Sequence, residues 1–424
     1  MSAATSPAPG PDPADAPQSV PQSADQTSAL PTPAQASDPT SPSATAGAAD
    51  PVSALPDDLG RLLARTAEIM GAASLAEPPF EHPPGEPAAD WRRRVAAARA
   101  AHDAHARARR AAVDTASREL FGVDVATVLF GADQGGGEPL GDRASLSRTR
   151  TELPAASDAS LLRLAPGLAR PRARVSDVPA PPRRLGVTIT APPAPRAAIV
   201  RLHGGAFWMG GGETPAVVDG AFIDALALGC SAAVIDVDYR LAPEDPFPAA
   251  VLDVLHAVDV VRSDALGLGI DPDRVAMVGT SSGANIATVA AMFQAAAGAP
   301  PLAGLALVVP SADATSAPSA VRDDPASWRS RQRLVSGYLG GRIDPSSPHV
   351  SPGLLSAIEG MPPTFAAVAS FDEIAVGGEA MCRAIRAGDG EAEAREYPMT
   401  HTTATPAVEA RVIRDVVAFL AARL

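Results

Sequence analysis

"AMVGTSSGANIATVAAM", residues 276–292, carries an apolar strand-like stretch straight into an Ala-rich helical one. The corner between them holds Thr280, Ser281 and Ser282, bracketed by Gly279 and Gly283. A turn this sharp strains the backbone of its central residue, and small residues two positions away on each side let strand and helix approach. The spacing G-x-S-x-G singles out Ser281, because Ser282 has Thr280 and Ala284 at the flanking positions instead. The Ser281 side chain is thereby pushed into the open at the C-terminal edge of a sheet. There it meets the free N–H groups of a helix N-terminus, which favour developing negative charge.

Outward from this corner, from about residue 184 on, apolar runs alternate with amphipathic helical stretches. The runs are "AAIVRL" (197–202), "AAVIDVD" (232–238), "RVAMVG" (274–279), "GLALVV" (304–309) and "TFAAVAS" (364–370). Helical patterns lie near 214–228, 248–264, 284–297, 376–388 and 406–423. That alternation predicts an α/β domain over 184–424, a mostly parallel central sheet flanked by helices.

Upstream, residues 1–56 are Pro, Ala, Ser, Thr and Asp with almost no large apolar groups, a composition that predicts a disordered tail. Residues 57–183 read as a helical extension and connector. One helix has Leu59, Leu62, Leu63, Ile69 and Met70 on one face. A second, Asp90 to about Leu120, is rich in Ala and Arg but thin in apolar positions, so one side should be solvated. His102 and His105 on it are expected to face solvent, since no carboxylate or Cys completes a metal ligand set. The Gly- and Pro-rich sequence from 131 to 183 predicts an irregular connector.

Bulk properties exclude several classes. The formal net charge of −13 over 424 residues argues against nucleic acid as a partner, because phosphate binding needs a basic footprint. All 35 basic residues are arginine. No uninterrupted apolar segment reaches the ~20 residues that span a bilayer, so no stable membrane insertion is expected. Two cysteines, Cys230 and Cys382, cannot make a disulfide framework and read as core residues. The first residues lack a basic region followed by an apolar run, so a cytoplasmic setting is expected.

A serine hydroxyl needs a base to become a nucleophile. Of the seven histidines, only His349 and His401 follow Ser281. His401, in "EYPMTHTTA", lies on a loop between an extended run and the last helix, where a catalytic residue would sit; His349 reads as a surface or lid residue. For the acid, Asp372 directly follows the apolar run 364–370, with Glu373 as runner-up and a helix N-cap as the alternative role for Asp372. Asp389 reads as a simple turn residue. A second loop, "RLHGGAFWMGGG" (201–212), has flexible backbone at Gly204, Gly205 and Ala206 whose N–H groups can converge on one point, as an oxyanion hole requires. A phosphate loop is the alternative, but G-x-x-x-x-G-K-[ST] is missing.

"HGGAFW" (203–208), "DYRLAPEDPFPAA" (238–250), "GTSSGAN" (279–285), "SFDEI" (370–374) and "YPMTH" (397–401) together resemble the bacterial hormone-sensitive-lipase-like carboxylesterases, an α/β-hydrolase family. The stretch 347–370 also resembles the approach to that family's acid. The resemblance covers about 184–424 and implies an α/β-hydrolase fold with N-terminal helices as part of a cap, drawn from 58–120 with help from 311–360. It implies Ser281 as nucleophile, His401 as general base and acid, and Asp372 as the residue orienting His401. It implies an oxyanion hole of Gly205, Ala206 and Ser282 amides, with Gly204 in the same loop and His203 anchoring it. Tyr239, Arg240 and Glu244 would be structural supports, and Phe207 and Trp208 would either line a substrate pocket or pack in the core.

The implied activity is cofactor-free, metal-free hydrolysis of small esters with short to medium acyl chains, with a homodimer left open. An amide hydrolase on the same triad and a ligand-binding pseudoenzyme are the alternatives. Several positions depart from the family pattern. Ala206 stands for the third glycine of "HGGG", with a modest effect expected provided its φ stays negative. Thr280 and Ser282 replace Asp and Ala of "GDSAG", and Thr402-Thr403 replace the usual Gly-Phe after the histidine.

Overall fold

The computed structural model describes residues 55–72, 75–131, 138–156, 163, 184–315, 325–341, 343–372 and 374–424, with 325–330 described as backbone alone. The tail expected over 1–56 lies, except for its last two residues, outside the described residues.

Eight strands build one sheet: β1 (Ser147–Glu152), β2 (Gly186–Ala191), β3 (Ala197–Leu202), β4 (Ala232–Val237), β5 (Val275–Thr280), β6 (Leu305–Val308), β7 (Thr364–Phe371) and β8 (Ala392–Thr400). Their spatial order is β1-β2-β4-β3-β5-β6-β7-β8. β2 runs antiparallel to both β1 and β4, and every other pair is parallel. The described helices are α1 (Asp57–Met70), α2 (Ala88–Phe121), α3 (Val125–Phe130), α4 (Thr214–Val218), α5 (Gly220–Gly229), α6 (Ala249–Arg262), α7 (Ser282–Ala296), α8 (Pro325–Leu339), α9 (Ala375–Ala387) and α10 (Pro406–Ala421).

The central strands are apolar because both sheet faces are covered, with Arg201 in β3 and Asp236 in β4 as paired exceptions. All six positions of β3 are buried. Alternate side chains serve opposite layers: Ala198, Val200 and Leu202 join the cluster under α6, α7 and α9, while Ala197 and Ile199 join the one under α5 and α10. β5 divides likewise, Met277 to one side and Val278 to the other. Each such fully buried Val, Leu or Ile contributes about 1.5–3 kcal/mol of hydrophobic stabilisation. The two cysteines fall on opposite sides of the sheet, Cys382 in the first cluster and Cys230 in the second, so no disulfide can join them.

The stretch 131–183 is not wholly irregular, since β1 lies within it and pairs with β2 over six residues. The sheet therefore begins at Ser147 rather than after 184. β1, "SRTRTE", is exposed at almost every position. Its backbone ladder and the ion pairs of Arg148 with Asp224 and Arg150 with Asp238 hold it instead of an apolar face. A charged edge strand also discourages pairing with another chain.

The helical extension lies against the C-terminal edge of the sheet. Phe80 packs edge-on to Trp208, with ring centroids 5.5 Å apart, and Glu77 pairs with Arg333 of α8 at 2.6 Å. His102 does not simply face solvent. It sits edge-on to Trp208 at 4.8 Å, and its Nε2 meets the Ala76 carbonyl at 3.0 Å. Among the described residues, no helix is long and apolar enough to cross a membrane.

Candidate active site

The corner after β5 is as tight as its glycines suggest. A β-carbon on Gly279 would lie 2.6 Å from the Ala284 backbone, and one on Gly283 would lie 2.5 Å from the Leu202 carbonyl oxygen. Only glycine at both places lets α7 start against β5 and β3. Ser281 takes φ 54° and ψ −116°. A left-handed φ costs a non-glycine residue about 1–2 kcal/mol. The surroundings hold it there: its N–H donates to the Val308 carbonyl at 2.8 Å, and its carbonyl accepts from Ala284 at 3.0 Å and Ser311 at 3.3 Å.

Three side chains from three sheet exits then meet. Ser281 Oγ lies 2.9 Å from His401 Nε2, and His401 Nδ1 lies 2.7 Å from Asp372 Oδ2. A carboxylate only accepts, so Nδ1 carries the proton and Nε2 is left to accept from the Ser281 hydroxyl. The Asp372 side chain is 5% exposed. Its Oδ1 also accepts the Ile374 N–H at 3.2 Å, which ties the carboxylate to the start of α9, although Ile374 itself is the N-cap. Glu373 lies outside the described residues. His349 stands apart, half-buried and stacked on Phe293 at 4.8 Å, where burial lowers its basicity. Asp389 occupies a turn at φ 62°.

The glycine-rich loop presses on the same corner. A β-carbon on Gly204 would lie 3.4 Å from that of Ser281. Gly205 takes φ 130°, and a β-carbon there would be 2.0 Å from the Met209 carbonyl oxygen, so this position requires glycine. Ala206 does not keep a negative φ. It takes φ 51°, and Phe207 follows at 68°. Alanine thus adopts the backbone that a third glycine would take without strain. The N–H of Ser282, first residue of α7, has no acceptor within its helix. Phe207 stacks on Tyr338 of α8 at 3.8 Å, and Trp208 is buried between Phe80 and His102. Both rings are thus buried in aromatic packing. Two left-handed residues in succession turn both rings under the helical extension.

His203 is buried with its ring stacked on Tyr239 at 4.2 Å, and its Nδ1 meets the Gly204 carbonyl at 2.7 Å. Burial pushes its pKa below the usual value, against the pull of Asp236 and the Gly204 carbonyl. The Tyr239 hydroxyl donates to the His203 carbonyl at 2.7 Å. Arg240 and Glu244 do not pair with each other. Arg240 meets Asp253 at 2.8 Å, and Glu244 meets Arg99 of α2 at 2.5 Å.

Beneath the loop, the fully buried Arg201 holds Asp236 and Asp219. Asn285, one turn into α7, donates to the carbonyls of Ser311 at 2.7 Å and Val350 at 2.8 Å. Neither Asn285 nor α2 is singled out by motif spacing, because their partners lie far away in the chain. Among the described residues no group of three His, Cys, Asp or Glu side chains is arranged to hold a metal ion.

A hydroxyl at a strained strand-to-helix corner, a histidine oriented by a buried carboxylate and a glycine-rich loop packed against them are the parts that nucleophilic catalysis by a serine requires. Residues 199–404 match the family described as alpha/beta hydrolase fold. The chain carries a domain of the α/β-hydrolase fold. The α/β-hydrolase segment is 34% identical over 212 residues to carboxylesterase NlhH of Mycobacterium tuberculosis, covering 48% of this chain and 65% of that protein. It is 34% identical over 217 residues to esterase LipI of the same organism, covering 48% of this chain and 66% of the relative. The chain thus spans just under two thirds of the length of these curated relatives. The α/β-hydrolase fold also matches a solved ester-hydrolase from the metagenome of Lake Arreo, with TM-score 0.60 and 19% identity over 87% of this chain and 99% of that one. The esterase of Pyrobaculum calidifontis gives TM-score 0.53 and 23% identity over 65% and 85% of the two chains.

Proposed function

We propose that this α/β-hydrolase domain is a carboxylesterase acting through an acyl-enzyme on Ser281. The observation that carries the proposal is the unbroken hydrogen-bonded series Ser281–His401–Asp372, set at a left-handed corner packed against Gly204 of the glycine-rich loop. Ser281 Oγ attacks the ester carbonyl carbon while its proton passes to His401 Nε2. The carbonyl π pair becomes an oxyanion, held by the amides of Gly205, Ala206 and Ser282. The C–O bond to the alcohol then breaks, and His401 returns the proton to the departing alkoxide. Water, deprotonated by the same Nε2, attacks the acyl-serine, and the second collapse releases the acid and restores Ser281. Asp372 holds the His401 tautomer and stabilises the imidazolium formed in each half.

α1, α2 and α8 act in this proposal as the cap over the site, and small esters with short to medium acyl chains are the substrates. The relatives' names, carboxylesterase and esterase, support the reaction class. The test is hydrolysis of p-nitrophenyl acetate, butyrate and octanoate by wild type and Ser281→Ala. Turnover of the shorter esters that vanishes in the variant is expected. A wild type inactive on all three, or an unchanged variant, removes the ester reading. Turnover of anilides alone would replace it with amide hydrolysis, and ligand binding without turnover would make the site a receptor.

A further inference from the structure

α2 sends two side chains, one helical turn apart, onto the backbone of the glycine-rich loop. Asp103 Oδ1 accepts the Gly210 N–H at 2.8 Å. Arg99 Nε donates to the Trp208 carbonyl at 2.5 Å, Nη2 donates to the Ala242 carbonyl at 2.9 Å, and the guanidinium forks onto Glu244 at 2.5 and 2.9 Å. Residues 208–210 are therefore gripped from outside the loop at both ends.

That grip bears on one particular peptide plane. The Gly205 carbonyl accepts the N–H groups of Trp208 at 3.1 Å and Met209 at 3.0 Å. The other face of the same plane is the Ala206 N–H. Rotating this peptide by half a turn would carry Ala206 from φ 51° into the ordinary negative region and relieve its strain. The same rotation would reverse the direction of the Ala206 N–H, which the esterase proposal aims at the oxyanion. The loop's own torsional preference thus opposes the orientation that the esterase proposal requires, and the hydrogen bonds from residues 208–209 to the Gly205 carbonyl oppose the rotation.

We propose that Arg99 and Asp103 are positioning residues that hold the Gly205–Ala206 peptide with the Ala206 N–H aimed at the oxyanion. They act through residues 208–210 and touch no substrate. The inference rests on the esterase proposal for the reaction it serves.

The experiment uses the full chain, with Ser281-dependent hydrolysis of p-nitrophenyl butyrate established first. Asp103→Leu and Arg99→Lys are expected to lower kcat by about 10- to 100-fold with KM changed by less than about 3-fold. Affinity for a trifluoromethyl ketone, which mimics the oxyanion, should fall in parallel with kcat. Asp103→Asn keeps a carbonyl acceptor for Gly210 and should remain within about 3-fold of wild type. Folded Asp103→Leu and Arg99→Lys with kcat and ketone affinity within about 2-fold of wild type overturn the proposal. So does a rise in KM alone. If Asp103→Leu does not fold, Arg99→Lys decides by the same criteria, and loss of fold in both assigns these residues to stability and overturns it too. A wild type without Ser281-dependent turnover strikes the esterase proposal instead. Hydrogen exchange of the 204–210 backbone then tests the positioning separately. Exchange at least about 10-fold faster in Asp103→Leu supports it, and unchanged exchange overturns it.

Discussion

A β-carbon placed on Gly283 would lie 2.4 Å from the carbonyl oxygen of His203. The first turn of α7 therefore rests directly on the backbone where β3 passes into the glycine-rich loop, and neither neighbour is a flexible side chain. Gly283→Ala is expected to destabilise the chain by about 1–3 kcal/mol through overpacking. Gly60→Ala, in α1 with nothing within 4 Å of the new methyl, should be stabilising by about 0.5–1 kcal/mol. Thermal unfolding followed by circular dichroism compares them, and equal midpoints for the two variants would count against this account of the elbow.

Asp372→Asn leaves the size of the side chain unchanged, but with its carbonyl oxygen on the Ile374 N–H it turns an NH2 donor toward His401 Nδ1 and no longer fixes the proton there. A fall in kcat of roughly 10³- to 10⁴-fold is expected, with little change in melting temperature. Ester hydrolysis at pH 7.5 measures it. Activity within ten-fold of wild type, an order of magnitude at most, would mean that Asp372 does not orient the histidine.

Arg201 is fully buried, and its two carboxylate partners depend on it. Burial works against its charge, and Asp236 and Asp219 more than offset this. Arg201→Leu strands the carboxylates and is expected to cost about 3–5 kcal/mol in urea unfolding. A loss below about 1 kcal/mol would show that water reaches the pair.

His203 titrates out of step with the unfolded chain. Burial holds its folded pKa below the unperturbed 6.5. The unfolded chain therefore takes up a proton near pH 6.5 that the folded chain refuses. Stability is complete above that pH and declines as pH drops below it, by up to about 1.4 kcal/mol per unit from this one residue. Urea unfolding at pH 8, 6 and 5 reads the slope. His203→Gln should flatten it, and an identical slope in the variant would assign the acid sensitivity to other groups.

The parts legible in the amino-acid sequence are those whose signal is local. β3 and β5 announce themselves because both their faces are buried, and Ser281 because two glycines must flank it for α7 to fit. β1 is not legible, because its alternating Arg and Thr carry no apolar period and its partner β2 begins 34 residues after it ends, Glu152 to Gly186. The backbone of Ala206 is misjudged for a related reason. Its sign of φ is set by the Trp208 and Met209 amides on the Gly205 carbonyl, and by α2, not by anything alanine prefers. Arg99 and Asp103 look like two more charges on a polar helix until the loop they grip, more than a hundred positions later, is folded against them.

One ion pair also sets a clock. Arg110 in α2 and Glu409 in α10 meet at 2.6 Å across 299 positions of chain. At a synthesis rate of about 5–20 residues per second, the helix waits roughly 15–60 s on the ribosome for that partner to be made. His401 is translated only moments before Glu409, so in the esterase proposal a nascent chain that has reached Ser281 alone has no base to activate it. On the esterase proposal, translation products that stop before His401 should be inert.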